Sequence, residues 1–205
     1  MQRIYVKYKL SNIFISGSAE EYGVFEKEIA EDFMHKLSKK LVKNEFKIIS
    51  GFGLGVGSFI VNGVLDEVHS RGNYIEDRLI MRPFPQKSSG NTNLKELWTE
   101  YRNEMIELAG ISIFIFGNKH DKVSNTIVNA GGMLEEFEIA KAKGKFVIPI
   151  GVTGFVSKII LEEIKSKADN YWYLNESISI LENEKNIDKL ITEVIKIISR
   201  IRSEL

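Results

Sequence analysis

Residues 46–58, FKIISGFGLGVGS, hold a short apolar run that stops at Gly51 and then passes through a glycine at every second position. The run reads as a buried strand, the glycines as a phosphate-sized loop, and Ser58 as the cap of a following helix. Gly51, Gly53, Gly55 and Gly57 have no Cβ, so the chain there can lay backbone N–H groups against a ligand. The unpaired first amides of the helix and its macrodipole favour an anion at the same place.

Upstream, Asn12 to Ile15 reads as a second buried strand, ending in the small-residue turn Ser16-Gly17-Ser18. Tyr22, Phe25, Ile29, Phe33, Leu37 and Leu41 recur at helical spacing, with Glu26, Lys27, Glu31, Lys36 and Lys40 on the opposite face. Met1 to Leu10 mixes basic and aromatic residues and reads as an edge strand or as the tail of a linker, so residues 1–11 are set apart from a single domain over 12–205.

Downstream, Ile60, Val61, Val64, Leu65 and Val68 make a short helix that Gly72 stops, and Asp77 to Met81 is a third strand with Arg82 at its C-terminal end. Pro83 to Asn93 holds two of the three prolines and a polar cluster, the composition of a binding loop or a lid. Leu94, Leu97, Trp98, Tyr101, Met105 and Leu108 mark another helix. Ile111 to Phe116, ISIFIF, is apolar throughout, as a central parallel strand covered on both faces must be, and a loop from Gly117 to His120 follows it. A helix then starts near Gly131-Gly132, with Glu135, Glu136 and Glu138 toward its start and Lys141, Lys143 and Lys145 toward its end, an order that complements the dipole. Phe146 to Ile150 is a further strand, and Phe155 to Ile164 a further helix. Tyr171-Trp172-Tyr173 and Ile178-Ser179-Ile180 suggest an extended piece. Ile187 to Ile201 is a last helix whose broad apolar stripe either packs deeply or forms a subunit interface, and a homodimer is expected from it.

Strand and helix signals thus alternate over most of the chain. The fold class is α/β, a Rossmann-like doubly wound and mainly parallel sheet with helices on both faces. The hydrophobic fraction of 43% and charged fraction of 27% are those of an ordinary soluble domain, and no apolar run is long enough to span a bilayer. A net charge of zero and a pI near 6.9 give no reason to expect nucleic acid or an anionic membrane as partner. Cysteine is absent, which excludes disulfides, thiolate nucleophiles and Cys-ligated metals. The N-terminus lacks the pattern of a secretory leader, which points to the cytoplasm. The spacing of His35, His69 and His120 suggests no metal, and no cofactor is implied.

Ligands of an open parallel sheet bind at the C-terminal ends of its strands, where strand order reverses. Ser16, Gly17, Ser18, Gly53, Gly55, Arg82, Lys119, Gly131 and Gly132 all converge on that edge, as a pocket for a phosphorylated nucleotide would require. The loop is neither G-x-G-x-x-G nor a Walker A loop, since valine and serine stand at the needed glycine positions and no Lys-Ser/Thr pair follows. Asp77 opens its strand instead of closing it, so the usual acidic ribose ligand is missing as well. Ordinary NAD or ATP binding is set aside on both grounds.

The S-G-S turn, the G-x-G-x-G loop, and the Gly-Gly followed by Glu-Glu together resemble the SLOG superfamily, which contains phosphoribohydrolases and DNA-processing proteins. FISGSAEEYG, GFGLGVGS, WTEYRNEMI and NAGGMLEEFEIA resemble more closely the C-terminal SLOG domain of Thoeris anti-phage effectors. That resemblance implies a sensor of a cyclic ADP-ribose isomer, and an upstream SIR2-type NAD hydrolase that the sensor switches. No SIR2-like stretch lies within this chain, so by itself it resembles a regulatory domain and not an enzyme. The resemblance makes Arg102 and Lys119 the phosphate contacts, and Ser16, Gly17, Gly53, Gly55, Gly131 and Glu135 backbone and ribose contacts. Judged by its helical neighbours alone, Arg102 is a solvated surface arginine. The competing reading is a nucleoside-monophosphate phosphoribohydrolase working through Glu135; the proline and Gly-Thr segment of that family's P-G-G-x-G-T-x-x-E motif are absent from Ala130 to Glu136.

Overall fold

A computed structural model describes residues 9–72, 74–87 and 93–204. Its main sheet takes the strands β1 (Asn12–Ser18), β2 (Lys47–Ser50), β3 (Leu79–Met81), β4 (Ile111–Phe116) and β7 (Phe146–Pro149) in the order β3-β2-β1-β4-β7. Every pairing is parallel, with Ile15 opposite Ser50 on one side and Ile113 on the other. A separate antiparallel hairpin, β5 (Asn118–Asp121) and β6 (Thr126–Asn129), projects from the end of β4. The chain runs outward from β1 through β2 to β3, then returns past β1 to β4, so strand order reverses between β1 and β4. That is where a doubly wound sheet opens a crevice.

The helices are α1 (Lys27–Lys43), α2 (Gly57–Arg71), α3 (Leu94–Leu108), α4 (Gly131–Ala142), α5 (Phe155–Lys165), α6 (Ile178–Asn183) and α7 (Ile187–Ser203). α1 packs on α2 and α7, and α3 packs on α4. Right-handed crossovers put these two groups on opposite faces. All six residues of β4 are buried, as its unbroken apolar run requires. Gly72 closes α2 in the left-handed conformation at φ 65°, which a side chain would disfavour.

Several local expectations change. Ser58 is inside α2, which begins at Gly57 with Val56 at its cap position and no side-chain cap. α1 starts at Lys27, after Tyr22 and Phe25, and Ile29 points outward, 45% exposed. Asp77 falls in a 3-10 turn, Ile75–Asp77, before the shorter β3. Tyr171-Trp172-Tyr173 and Ile178-Ser179-Ile180 are helical, within a 3-10 segment (Ala168–Leu174) and α6. The reason is tertiary: the Tyr173 hydroxyl accepts from Val147 N and donates to Val147 O on the edge strand β7, fixing the turn.

The apolar stripe of α7 is spent inside the domain, where Leu190, Ile191, Val194, Ile197, Ile198 and Ile201 are buried. Of its two expected roles it takes deep packing, which removes the reason for a dimer through this helix. Residues 1–8 of the expected tail lie outside the described residues, but Leu10 is buried in the core and Lys9 pairs with Glu107. Residues 88–92 of the Pro83 to Asn93 segment also lie outside them. Among the described residues no helix is long and apolar enough to cross a membrane.

Candidate functional site

A cleft of about 710 Å³ opens at the C-terminal end of β1, beside the loop that follows β2, within the range of about 300–1,000 Å³ usual for ligand pockets. Its floor is Phe14 to Ser18 of β1. One wall is the loop between β2 and α2, where Gly51, Gly53 and Leu54 line the cleft. Gly53 and Gly55 are required for chain to meet chain. A Cβ on Gly53 would sit 1.9 Å from Gly17 O, and one on Gly55 1.8 Å from Ala19 O. Ala19 N donates to Leu54 O at 2.8 Å across the same contact. Gly55 itself is not part of the lining.

The opposite wall is α3. Lys95, Trp98, Thr99 and Arg102 stand at i, i+3, i+4 and i+7, one face of a helix, and all line the cleft. Asn93 caps α3 by accepting from Lys95 N, which sets where that face begins. Phe84 stands beside this wall, its ring 5.0 Å below the Arg102 guanidinium carbon. Trp98 is held by a 2.7 Å bond from its Nε1 to Pro85 O.

The third wall is the start of α4. No side chain caps it, and Ala130, Gly131 and Gly132 line the cleft. An uncapped helix start facing a cavity offers free amides to an anion. A Cβ on Gly132 would come within 2.4 Å of Arg102 Nη2, so glycine there lets the guanidinium lie against the helix start.

The Arg102 side chain is buried. Its Nη1 donates to Glu135 Oε2 at 3.0 Å, and its Nε stands 3.5 Å from Glu136 Oε1 without a hydrogen-bond partner. Glu135 also accepts from Thr99 Oγ1. Glu136 is buried and accepts from Ser16 Oγ at 2.6 Å. Burial pushes its carboxyl up to about 7, the Glu135 charge adds to the rise, and the Ser16 hydrogen bond and Arg102 charge pull against it.

Lys119 reaches the cleft from the β5–β6 hairpin; it is exposed and makes no ion pair among the described residues. The hairpin is anchored by Asn118. Its Oδ1 accepts from the backbone of Glu20 and Glu21 at 2.9 and 3.0 Å, its Nδ2 donates to Glu21 O, and its backbone oxygen accepts from Ser18 Oγ at 2.8 Å. Asn118 is fully buried, so the loop after β1 and the hairpin bearing Lys119 are held as one unit.

Ser16, Gly17, Ser18, Gly53, Arg102, Lys119, Gly131, Gly132 and Glu135 line one cavity. Arg82 does not: it ends β3 as expected but pairs with Glu104 and is outside the lining. Arg102, whose helical neighbours suggest solvent, is buried because Glu135, Glu136 and Phe84 reach it from distant parts of the chain. Lys95, Trp98, Thr99, Phe84, Glu136 and Asn118 were not singled out; the helical period leading to Arg102 marks the first three. Among the described residues no cluster of three His, Asp or Glu side chains is placed to hold a metal.

Residues 1–201 match the family described as STALD, the Sir2- and TIR-associating SLOG family. The chain is 41% identical over 205 residues to the NAD(+) hydrolase ThsA of Bacillus cereus (strain MSX-D12), with 97% of this chain aligned. It is 44% identical to the NAD(+) hydrolase ThsA of Cytobacillus dafuensis, with 99% aligned. In both cases it spans 42% of the relative's length. Among solved structures, the X-ray structure of TM1055, a structural genomics target, shares the fold with a TM-score of 0.52, 16% identity, and coverage of 74% of this chain and 80% of that one. A family match over nearly the whole chain, joined to relatives 41% and 44% identical across it, settles the affiliation: the chain belongs to the Sir2- and TIR-associating SLOG family.

Proposed function

We propose that this chain is a nucleotide-signal sensor that binds a cyclic ADP-ribose isomer without transforming it, and that it regulates an attached SIR2-type NAD hydrolase in anti-phage defence. The observation that carries the reading is the Arg102 guanidinium against the uncapped start of α4 in a cleft at the strand-order reversal. Free amides, a positive helix end and a forked cation in one place suit a pyrophosphate. Lys119 and Lys95 add charge at the rim, while Phe84, Trp98 and Leu54 offer apolar surface to a base. The name of the relatives, NAD(+) hydrolase, supports an effector beyond the span this chain covers.

Calorimetry with a panel of cyclic ADP-ribose isomers tests it. Arg102→Ala is expected to cost about 1.5–3 kcal/mol of affinity, the range for a hydrogen bond to a charged group. Lys119→Ala is expected to cost less, because an exposed cation is screened. Unchanged affinity in both variants would remove the site assignment. The phosphoribohydrolase reading is favoured by one observation, the buried Glu136 carboxyl held near neutral pH beside Glu135 in the cleft. Release of free base from a panel of nucleoside monophosphates, lost in Glu135→Ala or in Glu136→Gln, would establish that reading instead.

A further inference from the structure

The cleft contains one buried carboxyl that the sensor reading does not use. Glu136 faces inward from the second turn of α4, where Glu135 and Arg102 are its charged neighbours and Ser16 of β1 its hydrogen-bond donor. Lys119 from the hairpin and Lys95 from α3 line the same cavity and complete the charged groups facing it.

The geometry of these groups is unequal. Glu135 takes the Nη1 end of Arg102 and is itself partly exposed, open to displacement by a ligand anion. Nη2 lies over Gly132, at the start of α4, where an anion would share it with the helix amides. The Nε edge faces the buried Glu136 oxygen, 3.5 Å away and unbonded, with nothing else for the donor to reach. The far oxygen of the same carboxyl is fixed by Ser16 at 2.6 Å.

We propose that Glu136 is a positioning residue for the ligand: anchored by Ser16, it holds the Nε edge of Arg102 and so aims the two terminal nitrogens at the anion site, and its proton governs how much of the arginine's charge the anion meets. When Glu136 carries a proton, one carboxylate, Glu135, opposes Arg102, and a ligand phosphate that displaces Glu135 meets the full cation. When Glu136 is ionised, a second anion stays beside the guanidinium and the phosphate is repelled. Ligand binding is therefore coupled to proton uptake, and affinity falls as pH rises through neutrality. The raised carboxyl described above places that change in the physiological range. The proposal takes the class of its ligand from the sensor reading; the coupling of Glu136 to Arg102 does not depend on any ligand.

The test has two arms. In the ligand-free chain, the Arg102 Nε–H resonance, assigned by its loss in Arg102→Lys, is followed by NMR from pH 5 to 9. It is expected to move with a midpoint near 7 in the wild type and to stay flat in Glu136→Gln. A resonance that is flat in the wild type overturns the proposal. The second arm measures affinity for the cyclic ADP-ribose isomers at pH 6 and pH 8. Exclusion of the ionised form predicts about a tenfold loss across that interval in the wild type. In Glu136→Gln the loss disappears, while Ser16→Ala, which frees the carboxyl, weakens binding at both pH values. A wild-type affinity with no pH dependence, or a variant that keeps the wild-type profile, overturns the proposal. If no isomer binds the wild type, the sensor reading falls and the first arm alone decides whether Glu136 governs Arg102.

Discussion

The chain approaches a helix through glycines twice beside the cleft, and the two places use them for opposite ends. In the β2–α2 loop the glycines are filled in: Gly53 and Gly55 press against the carbonyls of Gly17 and Ala19, and a Cβ on Gly57 would stand 2.6 Å from Phe52 Cα. At the start of α4 the glycines are open. Nothing stands within 4 Å of a Cβ on Gly131, and one on Gly132 would meet first the end of the Arg102 side chain. A glycine that touches backbone builds the wall of the cavity, and a glycine that touches nothing, at an uncapped helix start, leaves room for something to bind. The loop that announces a phosphate site in the sequence is the scaffold, and the shorter Gly-Gly pair is the better candidate for ligand contact.

The sharpest way to break this comparison is to put a methyl group on each kind. Gly55→Ala combines a Cβ 1.8 Å from a carbonyl oxygen with a backbone φ of 68°. Overpacking and left-handed strain together predict a loss of about 3 kcal/mol or more in urea unfolding. Gly53→Ala, with a 1.9 Å clash and no positive φ, should lose somewhat less. Wild-type midpoints in both would show that the two loops separate freely, and the scaffold role would be lost.

The pairing of β1 with the start of α4 gives the next effect. The Glu136 carboxyl is held up at about 7, against an ordinary value of 4.5. Between those values the folded chain keeps a proton that the unfolded chain releases. Its contribution to stability is thus full below about 4.5 and is lost as pH rises to about 7, the reverse of an ion-paired carboxylate. Glu136→Gln should remove that slope and gain up to about 3 kcal/mol relative to wild type at pH 8, with no comparable gain at pH 4.5. Thermal unfolding across that range measures it, and a parallel pair of curves would place Glu136 in a wetter setting than the cleft floor.

What the sequence disclosed divides along the same physical line. Periodicity and unbroken apolar runs report burial by the chain's own neighbours, so the strand at Ile111 to Phe116, the stop at Gly72 and the order of the main elements were legible. The hairpin was not, because Asn118–Asp121 and Thr126–Asn129 are short, half exposed and carry no alternation. Nor was the setting of Arg102, since its partners Glu135 and Glu136 come from another helix and only the family resemblance pointed to the residue. A charge run at a helix start looks like complement to the dipole whether or not one member turns inward. Here Glu136 does, and the floor of the cleft depends on it.

A smaller effect separates the two open glycines. A Cβ on Gly132 would push against Arg102 Nη2, the far end of a flexible side chain, so Gly132→Ala should change stability little while turning the guanidinium away from the helix start. An affinity loss of about tenfold, close to 1.4 kcal/mol, is expected for the cyclic ADP-ribose isomer that binds best. Loss of stability without loss of affinity would mean that the arginine is held for packing and not for a ligand.

Gly131→Ala is the smallest change and the most telling control. The position lacks a positive φ and its Cβ would point into open space, so the folded chain accepts the methyl without strain. Alanine also restricts the unfolded chain more than glycine does, which favours the folded state by about 0.4–1 kcal/mol where the backbone is compatible. Calorimetric melting should therefore show a variant as stable as wild type or slightly more so. The same methyl group stands at the uncapped amides facing the cleft. If an anion binds there its closest approach is blocked, and affinity falls in a protein whose stability has risen. Stability and binding moving in opposite directions from one methyl group is a pattern that the scaffold glycines Gly53 and Gly55 do not allow, because there the wall itself gives way.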